Sequence, residues 1–311
     1  MYPSYLNLSK KKLNQRVERL FKILENCEVC PRNCHVNRMK GEKGFCQLGF
    51  LPVVSAFHPH FGEESPLVGR FGPVSTGRLR QGGSGTIFFT SCNLSCVYCQ
   101  NCEISQLRIG EEISFKKLAE MMISLQKKGC HNINLVTPSP QVPQILKSLA
   151  MAIDLGLKIP LVYNTSSYDS IEVLKLLDGI VDIYMPDARY SNDKIALKYS
   201  NAPKYFEIMK EAIKEMHRQI GDLVLDENGV AIRGLLVRHL VLPNNLAGSE
   251  KIFEFFLKEI SKDTFLNIMS QYYPCYKAFE FPEISRRITD EEYQKAIKLA
   301  KKFGLKRLYR Q

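Results

Sequence analysis

Three cysteines, Cys92, Cys96 and Cys99, stand in the stretch SCNLSCVYC with the spacing C-x3-C-x2-C, directly after the apolar run Thr86 to Thr90. Iron–sulfur clusters are held by cysteine thiolates, ordinarily four for a [4Fe–4S] cluster. A compact loop that offers three leaves one iron without a protein ligand, open to a substrate. Zinc sites usually pair C-x2-C units with a distant second pair, a pattern unlike this loop. Tyr98 precedes the third cysteine, and Cys102 extends the run to C-x3-C-x2-C-x2-C.

A second group lies upstream: Cys27, Cys30, Cys34 and Cys46, in CEVCPRNCHVNRMKGEKGFC. Pro31, Gly41 and Gly44 mark loops, so the stretch reads as a small knuckle. Four thiolates closing a tetrahedral site are the expected set for structural zinc. They equally suit a second iron–sulfur cluster, and spacing alone does not choose. His35 is left out, because four thiolates are already present. Of ten cysteines, seven fall in these two groups. Their short spacings fit metal chelation in a reducing compartment better than a disulfide framework.

Several elements must position these groups. Residues 9–25 form an amphipathic helix, with Ser9 as N-cap and Leu13, Val17, Leu20 and Leu24 at three- and four-residue steps. From 50 to 85 the chain reads as irregular or short-stranded. There HPHFGEESP gathers His58, His60, Glu63 and Glu64, either as a surface loop or as a connector folding over the cluster mouth with Glu64 facing the cavity. The 71–82 segment is a candidate mobile insertion. Beyond it, strands at 86–90, 132–137, 159–164, 180–185, 234–242 and 265–270 alternate with helices near 114–128, 141–154, 169–177, 203–219 and 249–260. A last helix opens on the capping-box pattern Thr289 to Glu292.

Strands alternating with helices predict right-handed βαβ units and a parallel sheet. Six units imply an α/β fold: a partial (β/α)6 barrel of TIM type, with a small N-terminal Cys-rich metal-binding extension. The expected division is 1–85 for helix, knuckle and connector, and 86–311 for the barrel. Polar residues gather where the strands run out: Cys92, Thr137 to Ser139, Asn164 to Ser166, Asp187, Arg238 with His239, and Gln271. In such barrels chemistry sits at the C-terminal edge of the sheet.

Composition sets wider bounds. Hydrophobic residues make up 45% and charged residues 24% of 311, ordinary for a globular chain with a substantial core. The N-terminus lacks the order of a signal peptide. No apolar run approaches the roughly 20 residues that span a bilayer, so a cytoplasmic protein without a membrane partner is expected. The net charge of +11 could draw an acidic partner. Its basic residues are mostly dispersed, so nucleic acid is the less favoured one.

The C-x3-C-x2-C motif, with its preceding strand and Tyr98, resembles the signature of the radical S-adenosylmethionine (SAM) superfamily. The likeness extends through CEVCPRNC with GEKGFC, NINLVTPSP, VYNTSSY, VDIYMPDARY, RGLLVRHLVLP and MSQYYP. Together these stretches are similar to the pyruvate formate-lyase-activating-enzyme-like proteins, in the branch with an N-terminal cysteine knuckle. That resemblance implies a [4Fe–4S] cluster on Cys92, Cys96 and Cys99, SAM as cofactor, and a reductant such as flavodoxin or ferredoxin.

It also implies roles around SAM. Tyr98 would lie near the adenine. Thr137 and Ser139 stand where relatives bind the SAM amino group, commonly with Gly-Gly-Glu, which is absent here. Asn164 and Ser166 would address ribose or carboxylate, and Asp187 would support the same end. Arg238 is the expected partner of the methionyl carboxylate, since a guanidinium offers a fixed fork for two oxygens. His239 either joins it or, by strand alternation, points into the core, and Gln271 completes the ring. Cys102 reads as a spare thiol, and Cys130 and Cys275 as structural.

The implied activity is reductive cleavage of SAM and hydrogen-atom abstraction from a protein or peptide, as in glycyl-radical activation. The alternatives are a radical SAM enzyme acting on a small molecule or RNA, and a non-catalytic iron–sulfur electron carrier.

Overall fold

The computed structural model describes residues 3–69 and 82–309. The candidate insertion at 71–82 lies, apart from residue 82, outside the described residues. Helix α1 (Lys10–Ile23) begins where Ser9 Oγ accepts from the Lys12 amide at 3.3 Å, and Leu13, Val17 and Leu20 bury its inner face. After the cysteine knuckle come strand β1 (Val53–His60) and the short helix α2 (Ser65–Val68). Strand β2 (Ser84–Phe89) runs into the second cysteine group, helix α3 (Cys102–Ser105) and strand β3 (Glu111–Glu112).

The repeating part then follows as α4 (Phe115–Lys127), β4 (Asn132–Val136), α5 (Val142–Asp154), β5 (Leu161–Thr165), α6 (Ile171–Leu176) and β6 (Ile183–Pro186). Two helices come next, α7 (Asp193–Ser200) and α8 (Tyr205–Ile220), before β7 (Val224–Leu225) and β8 (Ala231–Leu240). The chain closes with α9 (Ser249–Phe255), β9 (Phe265–Met269), α10 (Asp290–Lys302) and β10 (Leu308–Tyr309).

Strands β2, β4, β5, β6, β8 and β9 pair in that spatial order and are all parallel. All six expected strands are present, so this is the α/β, partial-barrel architecture with a Cys-rich N-terminal region. On the outer face of the sheet, Ile87, Ile133, Leu135, Tyr163, Tyr184, Leu235 and Val237 join one large core with the helices. The inner face is far more polar: Ser84, Thr86, Asn132, Asn134, Asn164 and Asn267 are all buried there.

The region from 50 to 85 departs from expectation. Residues 53–60 form a regular antiparallel strand against β2, registered from Val54 opposite Phe89 to His60 opposite Ser84. Pro59 disguises it, yet is tolerated because, among the described residues, no strand pairs with its outer side beyond Val54 and no outward donor is needed there. The chain then turns inside the barrel instead of folding over its mouth. Leu67 packs on Val162, Ile183, Met185 and Leu236 of the inner face, and its carbonyl accepts from Asn132 Nδ2 at 2.9 Å. Glu64 does not face the mouth; it is 2% exposed and its Oε1 accepts from Asn267 Nδ2 at 2.7 Å. Glu63 Oε1 accepts from Asn134 Nδ2 at 3.0 Å.

Candidate active site

Strand β2 delivers the chain to Ser91, which takes φ +67° and starts the cysteine loop. The loop is clamped from outside the motif. The Ser95 and Val97 amides donate to the Ser200 and Tyr199 carbonyls at 2.9 and 2.8 Å, and the Lys277 amide donates to Val97 O at 2.9 Å. Helix α7, unexpected from the sequence, is therefore one jaw of the clamp. Tyr98 is buried; its hydroxyl pairs with Tyr190, whose own hydroxyl lies 2.7 Å from Ser200 Oγ.

Each sulfur of the triad meets a polar group. The Leu94 amide donates to Cys92 Sγ at 3.3 Å, Ser200 Oγ to Cys96 Sγ at 2.9 Å, and Ser105 Oγ lies 3.1 Å from Cys99 Sγ. Arg189 Nη1 is a further donor, 3.7 Å from Cys96 Sγ. Burial, reinforced by Cys96, pushes the Cys92 thiol up to about 12 and that of Cys99 to about 11. Metal loading must therefore release protons, after which these donors stabilise the thiolates. Three thiols with donors already aimed at sulfur fit a [4Fe–4S] cluster.

A cleft of about 190 Å³ opens beside Cys99. Tyr98, Asp187, Arg189, Arg238 and Gln271 line it, so four of the residues expected around SAM meet at the mouth. Asp187 is gripped from both sides: Arg238 Nε donates to Oδ1 at 2.8 Å and Arg189 Nη2 to Oδ2 at 2.5 Å. Burial alone would raise the Asp187 carboxyl, but the two guanidiniums outweigh it and hold it below the usual carboxylate range. Arg238 is already engaged, donating also to Asn164 Oδ1 at 2.8 Å and lying 3.7 Å from Glu63. Arg189 was missed in the sequence. It stands two residues beyond Asp187, and its Nε is buried with no hydrogen-bond partner among the described residues.

The remaining expected residues sit elsewhere. Asn164 reaches the cleft only through Arg238. Thr137 shapes the backbone at φ +61°, its amide donating to Asn164 O at 3.0 Å. Ser139 lies in a buried network, 3.0 Å from Thr165 Oγ1, which donates to Asp169 at 2.6 Å. Ser166 offers its carbonyl to Tyr205 at 2.8 Å. His239 turns to the outer face, between Ala188 O at 2.7 Å and Ser249 Oγ at 2.8 Å, against Phe253. It is a core histidine, and strand alternation is the reason. No helix among the described residues is long and apolar enough to cross a membrane.

A model of the radical SAM superfamily matches residues 86–232. "Uncharacterized protein MJ0674" of Methanocaldococcus jannaschii is 36% identical over 307 residues, covering 96% of this chain and 80% of that one. "Uncharacterized protein MJ0808" of the same organism is 25% identical over 297 residues, covering 87% and 79%. Among solved structures, HydG, described as a maturase of the [FeFe]-hydrogenase, is similar with a TM-score of 0.50 at 10% identity. That match covers 98% of this chain, which spans only 64% of HydG, and it speaks to the fold alone. The family model begins inside β2, on the strand that carries the cysteine loop; residues 86–232 of this chain are a radical SAM superfamily domain, within a chain related to MJ0674 over 96% of its length.

Proposed function

We propose that this protein abstracts a hydrogen atom from a protein or peptide presented at the barrel mouth, in the manner of the glycyl-radical activating enzymes. Held on Cys92, Cys96 and Cys99, a [4Fe–4S] cluster with SAM supplies one-electron cleavage of the sulfonium S–C5′ bond and hydrogen-atom abstraction. The observation that carries the reading is the one cleft that Cys99, Asp187, Arg189 and Arg238 line together.

This chain's residues do the positioning. Asp187, kept ionised between two guanidiniums, faces the SAM ammonium. Arg189, which lines the same cleft, receives the SAM carboxylate. Both roles need fixed charges in a partly desolvated cleft, where they act more strongly than in water.

Two features favour a polypeptide substrate. Leu67 and the glutamates beside it fill the barrel interior from within, so the target atom must be offered at the mouth. The segment beyond Gln271, which lines that mouth, carries the exposed rings of Tyr273, Tyr276 and Phe279, the last 66% exposed. Aromatic residues are enriched where proteins dock. A low-potential donor of the flavodoxin or ferredoxin class would supply the electron.

The test is anaerobic reconstitution of wild type and a Cys92→Ala/Cys96→Ala/Cys99→Ala variant, with 5′-deoxyadenosine measured under dithionite. Wild type is expected to form it and the variant none. Iron-loaded wild type that never cleaves SAM overturns the proposal in favour of an electron carrier.

A further inference from the structure

The chemistry above leaves the four N-terminal cysteines unused. They nevertheless face one another: Cys27, Cys30, Cys34 and Cys46 line a single enclosed space, together with Arg32 and Asn93. Local geometry turns the thiols inward. The Cys27 amide donates to Val36 O at 2.9 Å and the His35 amide to Cys27 O at 3.2 Å, while Asn33, His35 and Gln47 take φ +42°, +55° and +59°. Position 44 must be glycine, since a Cβ there would stand 2.7 Å from Cys34 Cβ and 2.8 Å from its sulfur. The imidazole of His35 points outward to Glu28 at 3.2 Å and is largely exposed, so the donor set is sulfur alone.

Four inward-facing thiolates accept a tetrahedral zinc or a [4Fe–4S] core alike. Zinc has no redox chemistry, so the position of this space beside the other cysteine loop favours the cubane core. Four thiolates also saturate it, leaving no open iron for SAM and only electrons to carry.

The wall of this space shows where an electron would go. Asn93 forms part of it and is bonded directly to Cys92. Arg32 ties the two sides together: Nε donates to Asn93 O at 2.7 Å, and the guanidinium lies 3.7 Å from the Phe45 ring centroid. Asn93 Nδ2 in turn donates to Tyr168 O at 2.6 Å. One residue separates the knuckle from a ligand of the other cluster.

We infer that Cys27, Cys30, Cys34 and Cys46 hold a second, fully ligated [4Fe–4S] cluster that relays electrons through Asn93 to the cluster on Cys92, Cys96 and Cys99. A donor of the flavodoxin or ferredoxin class loses one electron and the knuckle cluster goes from 2+ to 1+. It returns to 2+ as the second cluster goes from 2+ to 1+, with no bond made or broken in the protein. The electron's destination rests on the radical SAM reading; the metal assignment does not.

The test starts with the full chain carrying Cys92→Ala/Cys96→Ala/Cys99→Ala, reconstituted anaerobically with iron, sulfide and zinc all available. About four irons and four sulfides per chain are expected to remain, with a reduced-cluster EPR signal that SAM leaves unchanged. One zinc and no iron overturns the inference, whether or not wild type cleaves SAM. Flavodoxin hydroquinone should bleach this remaining cluster; no bleaching removes the relay. In a Cys30→Ala/Cys34→Ala variant, flavodoxin should no longer reduce the remaining cluster, which dithionite still reduces. Reduction by flavodoxin at the wild-type rate also overturns the relay. Gly44→Ala, which crowds Cys34 and leaves every ligand in place, should lower iron by about half, and an unchanged iron content counts against the site.

Discussion

Arg189 donates to Asp187 across 2.5 Å while its other terminal nitrogen lies 3.7 Å from the sulfur of Cys96. One guanidinium thus touches a thiol proposed as a cluster ligand and the carboxylate proposed to face SAM. Hydrogen bonds to charged groups contribute about 1.5–3 kcal/mol. Arg189→Met is expected to weaken SAM binding and 5′-deoxyadenosine formation by roughly ten- to a hundredfold. Equilibrium SAM titration of the reconstituted protein checks this, and unchanged affinity removes Arg189 from the site.

His239 carries a pH signature of the core. Burial holds its imidazole down at about 4, so it is neutral in the folded state. A base with a depressed folded value stabilises fully above its unfolded value near 6.5 and loses that contribution as pH falls toward 4. The shift corresponds to something on the order of 3 kcal/mol. Urea unfolding of the apoprotein at pH 7 and pH 4.5 should show wild type losing more stability on acidification than His239→Gln. Equal losses would place the imidazole in contact with water.

Glu63 predicts the opposite slope. Burial raises its carboxyl to about 7, with Arg238 opposing and Glu64 adding to the rise. An acid raised in this way stabilises below its unfolded value and loses that contribution as pH climbs through 7. Melting curves between pH 5 and 8 should fall for wild type and stay flatter for Glu63→Gln. A wild type that gains stability over that range, relative to the variant, contradicts a buried protonated Glu63.

Leu67 tests the filled barrel. It is fully buried against Val162, Ile183, Met185 and Leu236. Leu67→Ala leaves a cavity between these strands and is expected to cost about 2–5 kcal/mol in denaturant unfolding. A loss below about 1 kcal/mol would mean that the 61–69 segment does not pack inside the sheet.

Local interactions made much of this legible in advance. Ser9, Ser114 and Thr289 cap their helices as their positions suggest, and Thr289 with Glu292 forms the full capping box. The six parallel strands fell where β-branched and aromatic runs end in polar residues. Strand β1 was hidden because an edge strand shows no clean alternation and Pro59 reads as a break. Arg189 was hidden because no short-range pattern distinguishes a charge beside a strand end from a solvated one.

By itself, the sequence determined the family signature: three cysteines at C-x3-C-x2-C lie on one loop, and spacing along a loop is a local property. The tertiary structure decided which polar residues share a space. Register turned Arg238 into the barrel and His239 out of it. Chain return brought α7 against the cysteine loop and Glu64 against Asn267, 203 residues away. It also laid Asn93 into the wall of the N-terminal thiol site. Such contacts depend on closing long loops around a packed core, and a side chain's neighbours across that core are not encoded in the residues beside it.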